Sequence, residues 1–378
     1  MSRRPRPDAD RARRVLVVAG LVIVAGQLAT GLALDAAPPA VRFAQGGKVL
    51  SRASALGDTP YVLLLGSSRF WMVDVDAVTA ALRDAAGAET PAIVQGAVLG
   101  GDPIVADYLL EKLLVQGSRP ALLAVEISPE SVAYPAPWIA GQAIRFFTWS
   151  DIAAWTPEIV ARGKMVEVAA ARLSPIDTYR RELLTWIVGR PPPYLRVTSS
   201  PRTVDPVDPK APQPAADATD TSGGPREPTG GASDTATGQP PNGATLSGLR
   251  QVRGWLRDYR VGGGAARALE RFLARARDAD IPVVLVGPPA SSWLRELYTP
   301  AVERTFRDYL DDLRRRYGTQ FADYRARISD RFFTDHYHLN ARGGALFARM
   351  LASEVLAVRW HEARLRDAVA DFDHAPEH

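Results

Sequence analysis

Short runs of apolar residues recur along the chain, each closed by glycine, proline or a polar residue. The sharpest is Tyr61-Val62-Leu63-Leu64-Leu65, ended by Gly66. An unbroken run of that length predicts a strand buried on both faces. Runs at 91–98, 121–127 and 281–287 repeat the pattern, and a shorter one at 321–324 predicts a fifth strand. Between them the apolar spacing lengthens to three and four residues, as in Val75, Val78, Ala81 and Leu82. That period predicts a helix after the first strand, and others are expected at 104–116, 265–277, 300–317 and 341–365. Strands alternating with helices predict an α/β fold, a three-layer α/β/α sandwich around a parallel sheet.

One apolar run does not belong to that pattern. Residues 15–34 carry no charge. At about 1.5 Å per residue they span about 30 Å, the thickness of a bilayer core. Six arginines and two aspartates lie in residues 1–14 and account for the whole formal net charge of +4. Arginines on that side keep it cytoplasmic. The pattern therefore predicts a basic tail (1–14), a transmembrane signal-anchor in the lipid bilayer (15–34) and a type II, single-pass protein. Its main domain is then extracytoplasmic. A signal peptide cleaved near Ala29-Thr30-Gly31, leaving a secreted protein, is the alternative.

Charge also narrows the partners. The pI of about 9.4 comes from the tail, so no basic face is left for nucleic acid. The chain has no cysteine, which excludes disulfides and thiolate metal sites.

Residues 35–57, with Pro38-Pro39 and Gly46-Gly47, read as a stalk. Residues 58–190 form the first part of the main domain. The aromatic-rich stretch 130–190 reads as a lid or, equally, as helices completing the core. Residues 191–247 are rich in proline, glycine and threonine and too poor in apolar side chains to fold, so they read as a disordered insertion. The domain resumes over 248–370, and 371–378 form a tail.

Two blocks carry the chemistry. Gly66-Ser67-Ser68-Arg69 follows the first strand, where open α/β sheets bind ligands. Asp335-His336-Tyr337-His338-Leu339-Asn340 lies near the other end. A serine hydroxyl ionises only with a base beside it, and the base needs a carboxylate to orient it. Ser68 is the candidate nucleophile, with Ser67 as its alternative or as a helix cap. His338 and His336 both flank Tyr337, and Asp335 lies three residues before His338. No further histidine or carboxylate cluster matches them, so neither a metal nor a cofactor is predicted. Arg69 is a candidate for substrate positioning or for an ion pair.

These blocks resemble the SGNH (GDSL-like) hydrolase superfamily, with its flavodoxin-like sheet. There a Gly-Asp-Ser block follows the first strand and an Asp-x-x-His block precedes the last helix. Here Ser67 stands in place of that aspartate, while Asp335-x-x-His338 matches and selects His338 as base. The membrane-anchored SGNH-like proteins of bacterial polysaccharide O-acetylation and teichoic-acid D-alanylation are most similar. The resemblance spans about residues 58–360. It implies an oxyanion hole from the Ser68 N–H and Gly100, with Gly101 as the other choice. The third block's asparagine is absent, since the strand ends in Glu126-Ile127-Ser128-Pro129-Glu130. Implied, then, is an esterase or O-acyltransferase, acetyl being the expected group, acting on a cell-envelope polysaccharide or small ester. A transferase version implies a multi-pass membrane acyltransferase partner. A non-catalytic binding or scaffold module of an envelope assembly is the competing expectation.

Overall fold

The computed structural model describes residues 8–37, 39–87, 90–188 and 243–373. Five strands form one sheet: β1 (Tyr61–Leu65), β2 (Ala92–Gln95), β3 (Leu122–Glu126), β4 (Val283–Gly287) and β5 (Gln320–Asp323). All pairings are parallel and the order is β2-β1-β3-β4-β5. The chain passes from β1 to β2 on one side and then to β3 on the other. That reversal opens a crevice at the carboxyl ends of β1 and β3, the general ligand position of such sheets.

Alternation along each strand sends side chains into two separate cores. Leu63, Leu65, Leu123, Val125 and Leu285 pack with Leu109, Leu113 and Phe272. Val62, Leu64, Leu122, Ala124, Val284 and Val286 pack with Val78, Leu82, Phe347 and Leu351. Each fully buried leucine contributes about 1.5–3 kcal/mol. The helices Val75–Ala86, Pro103–Val115, Gly263–Asp278 and Pro300–Tyr317 stand where the spacing placed them.

Three segments differ from expectation. Residues 44–54 are not a stalk. They form a helix that puts Val49, Leu50 and Ala53 into the core beside Phe43. Gly46-Gly47, read as a break, is a contact surface: a Cβ at Gly47 would lie 2.4 Å from Ala40 Cβ. Residues 243–247, placed in the insertion, begin the helix Gly243–Leu256. The rest of that insertion, 191–242, lies outside the described residues, as do 1–7 of the basic tail and 374–378 of the C-terminal tail. The last helix, expected as one run, is Ala341–Leu351, then a π-helical turn Ala352–Leu356, then Ala357–Asp373.

The N-terminal helix Asp8–Ala36 contains a stretch, Arg11–Ala36, long and apolar enough to cross a membrane. The 130–190 region is helical from Ile139 to Val188, in five pieces.

The C-terminal block reaches the turn after the first strand through a close contact. A Cβ on Gly344 would sit 2.3 Å from the Met72 carbonyl oxygen, and one on Gly343 2.5 Å from that of Phe332. Behind them Phe347 packs on Phe70 and Tyr324, with ring centroids 6.0 and 5.3 Å apart. Gly344→Ala is expected to destabilise the protein by about 1–3 kcal/mol, because it overpacks against backbone rather than a movable side chain. Urea unfolding of the variant beside the wild type measures this.

Candidate active site

The turn after β1 is built by capping. Ser67 Oγ accepts from the Arg69 N–H at 3.2 Å and so caps the short helix Ser68–Trp71. The same hydroxyl donates to the Glu126 carboxylate at 2.8 Å, and the Ser67 N–H donates to Glu126 at 2.7 Å. Gln95, at the end of β2, donates to the Phe70 carbonyl at 3.0 Å. Ser67 is thus turned inward, and Ser68 is left half-exposed on the outer side of the turn.

The second block folds around its own carboxylate. Asp335 Oδ1 accepts from the N–H groups of Tyr337 and His338 at 2.9 and 2.8 Å. A side-chain oxygen taking backbone N–H groups two and three residues on is a common aspartate turn. It leaves Oδ2 free to accept from His338 Nδ1–H at 2.6 Å. Asn340 then caps the helix Ala341–Leu351 by accepting from the Gly343 N–H at 2.9 Å.

The two blocks meet directly. His338 Nε2 lies 2.8 Å from Ser68 Oγ. The carboxylate at Nδ1 fixes the tautomer, so Nε2 is the acceptor and Ser68 Oγ–H the donor. Burial pushes the Asp335 carboxyl up, but its bonds to His338 and to the backbone outweigh this and hold it at about 2. Asp335 therefore stays ionised across the neutral range.

Of the two nominated hydrogen-bond donors, the Ser68 N–H heads a helix, where no carbonyl is available to it. At the other, Leu99 N–H donates to Gln45 Oε1 at 3.1 Å and Gly101 N–H to the Val98 carbonyl at 2.9 Å. The Gly100 N–H has no partner among the described residues. Gly100 takes φ +69, which glycine adopts without strain. Trp138 stands beside it, with Cδ1 4.0 Å from where a Gly100 Cβ would be, and Trp255 meets Trp138 edge-on at 5.1 Å.

Arg69 does not face the opening. It is 6% exposed, donates to Glu130 Oε1 at 2.9 Å, and reaches the carbonyls of Pro288 and Pro289 at 3.1 and 3.2 Å. Of its two readings the structure takes the ion pair. Burial opposes its charge, but Glu130, Tyr298 and Glu126 more than offset that and raise its pKa. Glu130 also accepts from the Tyr298 hydroxyl at 2.9 Å. Sequence reasoning missed this network. A glutamate closing a buried strand, as Glu126 does, was the available signal, since a buried charge needs partners.

His336 makes no hydrogen bond to Ser68. It is 4% exposed, both ring nitrogens lack a partner, and its ring fills the space a Gly248 side chain would occupy. Among the described residues no group of three or more His, Asp and Glu side chains could hold a metal ion. No protein-family model matches the chain, and no curated protein matches its sequence.

Burial lowers the His336 pKa from 6.5 to about 4. The unfolded chain therefore binds the proton first. Stability that is complete above pH 6.5 should fall as the pH drops towards 4, by at most about 3 kcal/mol. The Asp335 contribution runs lower, lost only between 3.8 and about 2. His336→Leu is expected to remove most of the loss between pH 6.5 and 4, read from urea midpoints across that range. A variant whose midpoint still falls as steeply would assign the acid loss to another group.

Proposed function

We propose that this chain is a membrane-anchored, extracytoplasmic SGNH-like serine enzyme, an esterase or O-acyltransferase working through an acyl-Ser68 intermediate. The observation that carries the reading is the continuous relay Ser68 Oγ–His338–Asp335, at 2.8 and 2.6 Å. Support also comes from its place at the carboxyl end of β1 in a parallel sheet with two separate cores. That arrangement fits a three-layer α/β/α sandwich of flavodoxin-like order.

In this mechanism Ser68 Oγ attacks the ester carbonyl carbon while its proton passes to His338 Nε2. The Asp335 carboxylate stabilises the imidazolium so formed. The Ser68 and Gly100 N–H groups meet the negative charge developing on the carbonyl oxygen. The bond to the leaving alcohol then breaks, and that alcohol takes the proton from His338. Water, or a hydroxyl of a cell-envelope polysaccharide, attacks the acyl-serine in turn. Its proton passes through His338 back to Ser68 Oγ. In the transferase version the acyl group, acetyl by resemblance, is supplied by a multi-pass membrane acyltransferase.

One observation favours the second reading, a binding or scaffold module. Where the family has its third-block asparagine, this chain has Glu126, Ser128 and Glu130, and both carboxylates are engaged internally, so no asparagine joins the two donors of the proposed oxyanion hole.

The test is covalent labelling of the full chain in detergent with a fluorophosphonate. Ser68 should be modified in the wild type, and neither Ser68→Ala nor His338→Ala should label. Asp335→Asn should keep the fold and lower acyl-ester turnover by about 10³–10⁴-fold, because the imidazole loses its tautomer. A folded wild type that takes no label would favour the scaffold.

A further inference from the structure

The helices between Trp149 and Thr178 carry large exposed apolar side chains away from the candidate active site. Val166 is 83%, Leu173 66% and Ile176 43% exposed, on the consecutive helices Met165–Leu173 and Pro175–Thr178. Their neighbour is the N-terminal apolar helix. Gln27 Oε1 accepts from the Ile176 N–H at 3.1 Å, and Pro175 Cγ lies 3.8 Å from where a Gly31 Cβ would be. From Arg11 to Ala25 that helix is exposed all round, whereas Gly26, Gln27, Thr30, Gly31 and Leu34 are covered. Those five share one helical face.

The geometry fixes a depth. Gln27 lies about 12 Å before Asp35 along the helix axis, inside the apolar run. If that run fills a bilayer, a segment hydrogen-bonded at Gln27 stands at the level of the outer leaflet, whose hydrocarbon half is about 15 Å thick. Asp35 locks the join, accepting from Arg42 Nη1 at 3.2 Å and from the Trp149 N–H at 3.4 Å, with Arg172 at 3.6 Å. Trp149 is itself 46% exposed at this level, where indole rings favour the membrane–water boundary. The exposed charges flanking the patch are paired, Lys164 with Glu167 at 2.6 Å and Arg180 with Asp177 at 2.7 Å. Neutral pairs with long stems suit a headgroup layer.

We infer that 165–178 is a membrane-seated foot: a second, non-spanning contact that sets Val166, Leu173 and Ile176 into the leaflet beside the anchor. Interfacial helices of this kind sit about 5–10 Å into the headgroup and acyl boundary. The inference rests on the membrane-spanning reading of the N-terminal helix and is independent of catalysis. It gives this part of the 130–190 stretch a lipid partner in place of a lid's role.

The absence of cysteine makes the test clean. Val166→Cys, Leu173→Cys, Ile176→Cys, Ile23→Cys and Ser353→Cys are made singly in the full chain. Each carries an environment-sensitive fluorophore and is reconstituted in phosphatidylcholine vesicles bearing nitroxide lipids. Ile23 reports the span, and Ser353 lies on the helices covering the other sheet face. The expectation is deep quenching at 23, shallow quenching at 166, 173 and 176 at least twofold above 353, and little at 353. Quenching at 23 with the three patch positions no different from 353 overturns the foot and keeps the anchor. The same holds if they are shielded identically without lipid, as a protein partner would do. No quenching at 23 removes the anchor, and the foot with it.

Discussion

A buried arginine organises the candidate site. Arg69 sits directly after the nucleophile candidate, yet its guanidinium runs inward to Glu130 and to the two carbonyls that follow β4. Glu126, the last residue of β3, stands 3.9 Å from it and accepts from both the Ser67 N–H and the Ser67 hydroxyl. One cation thus ties together the carboxyl ends of β1, β3 and β4. A buried pair of this kind adds little net stability over an apolar one, but losing one partner costs about 3–5 kcal/mol. Its value here is positional. With Ser67 and Arg69 both held from below, the residue between them has one direction left, outward to His338.

The same alternation governs the other half. Asp335 and His338 turn to the opening, while His336 is driven inward against Gly248 with no hydrogen-bond partner, its Nδ1 4.0 Å from the Asp335 carboxylate. An unpartnered imidazole is tolerated because burial keeps it neutral, leaving no charge to compensate. Its carbonyl is held by the Ser291 hydroxyl at 2.8 Å. The Asp335–His338 turn is therefore fixed from three directions: its own carboxylate, the loop after β4, and the helix Gly243–Leu256 over His336.

Much of this was legible because the chemistry is local. Apolar runs announced β1 to β4, and Asp-x-x-His announced a turn whose carboxylate serves backbone and imidazole together. What stayed hidden depends on distant partners. Gly46-Gly47 has the composition of a linker, and only the packing of Ala40 on Gly47 reveals a core helix. Glu126 and Glu130 looked like a missing asparagine, whereas they are the counter-charges of Arg69. Trp138 beside Gly100 could not be placed from a stretch whose helices follow no single period. Gly243–Leu256 was obscured by the composition of the segment before it.

A chain of side-chain contacts leads from the N-terminal apolar helix towards the candidate site. Asp35 holds Arg42, and the helix beginning at Ala44 carries Gln45, whose side chain holds the Leu99 N–H next to Gly100. That helix then runs away from the site, ending where Ser54 meets Gln116 at the far end of the helix Pro103–Val115. The candidate oxyanion loop is thus at the same end of the sheet as the polar end of the apolar helix. The link runs from Asp35 through Arg42, across the non-helical Phe43, to Gln45. The joint at Asp35 fixes how the apolar helix meets the domain, because one carboxylate holds both Arg42 and the Trp149 N–H, with Arg172 beside it.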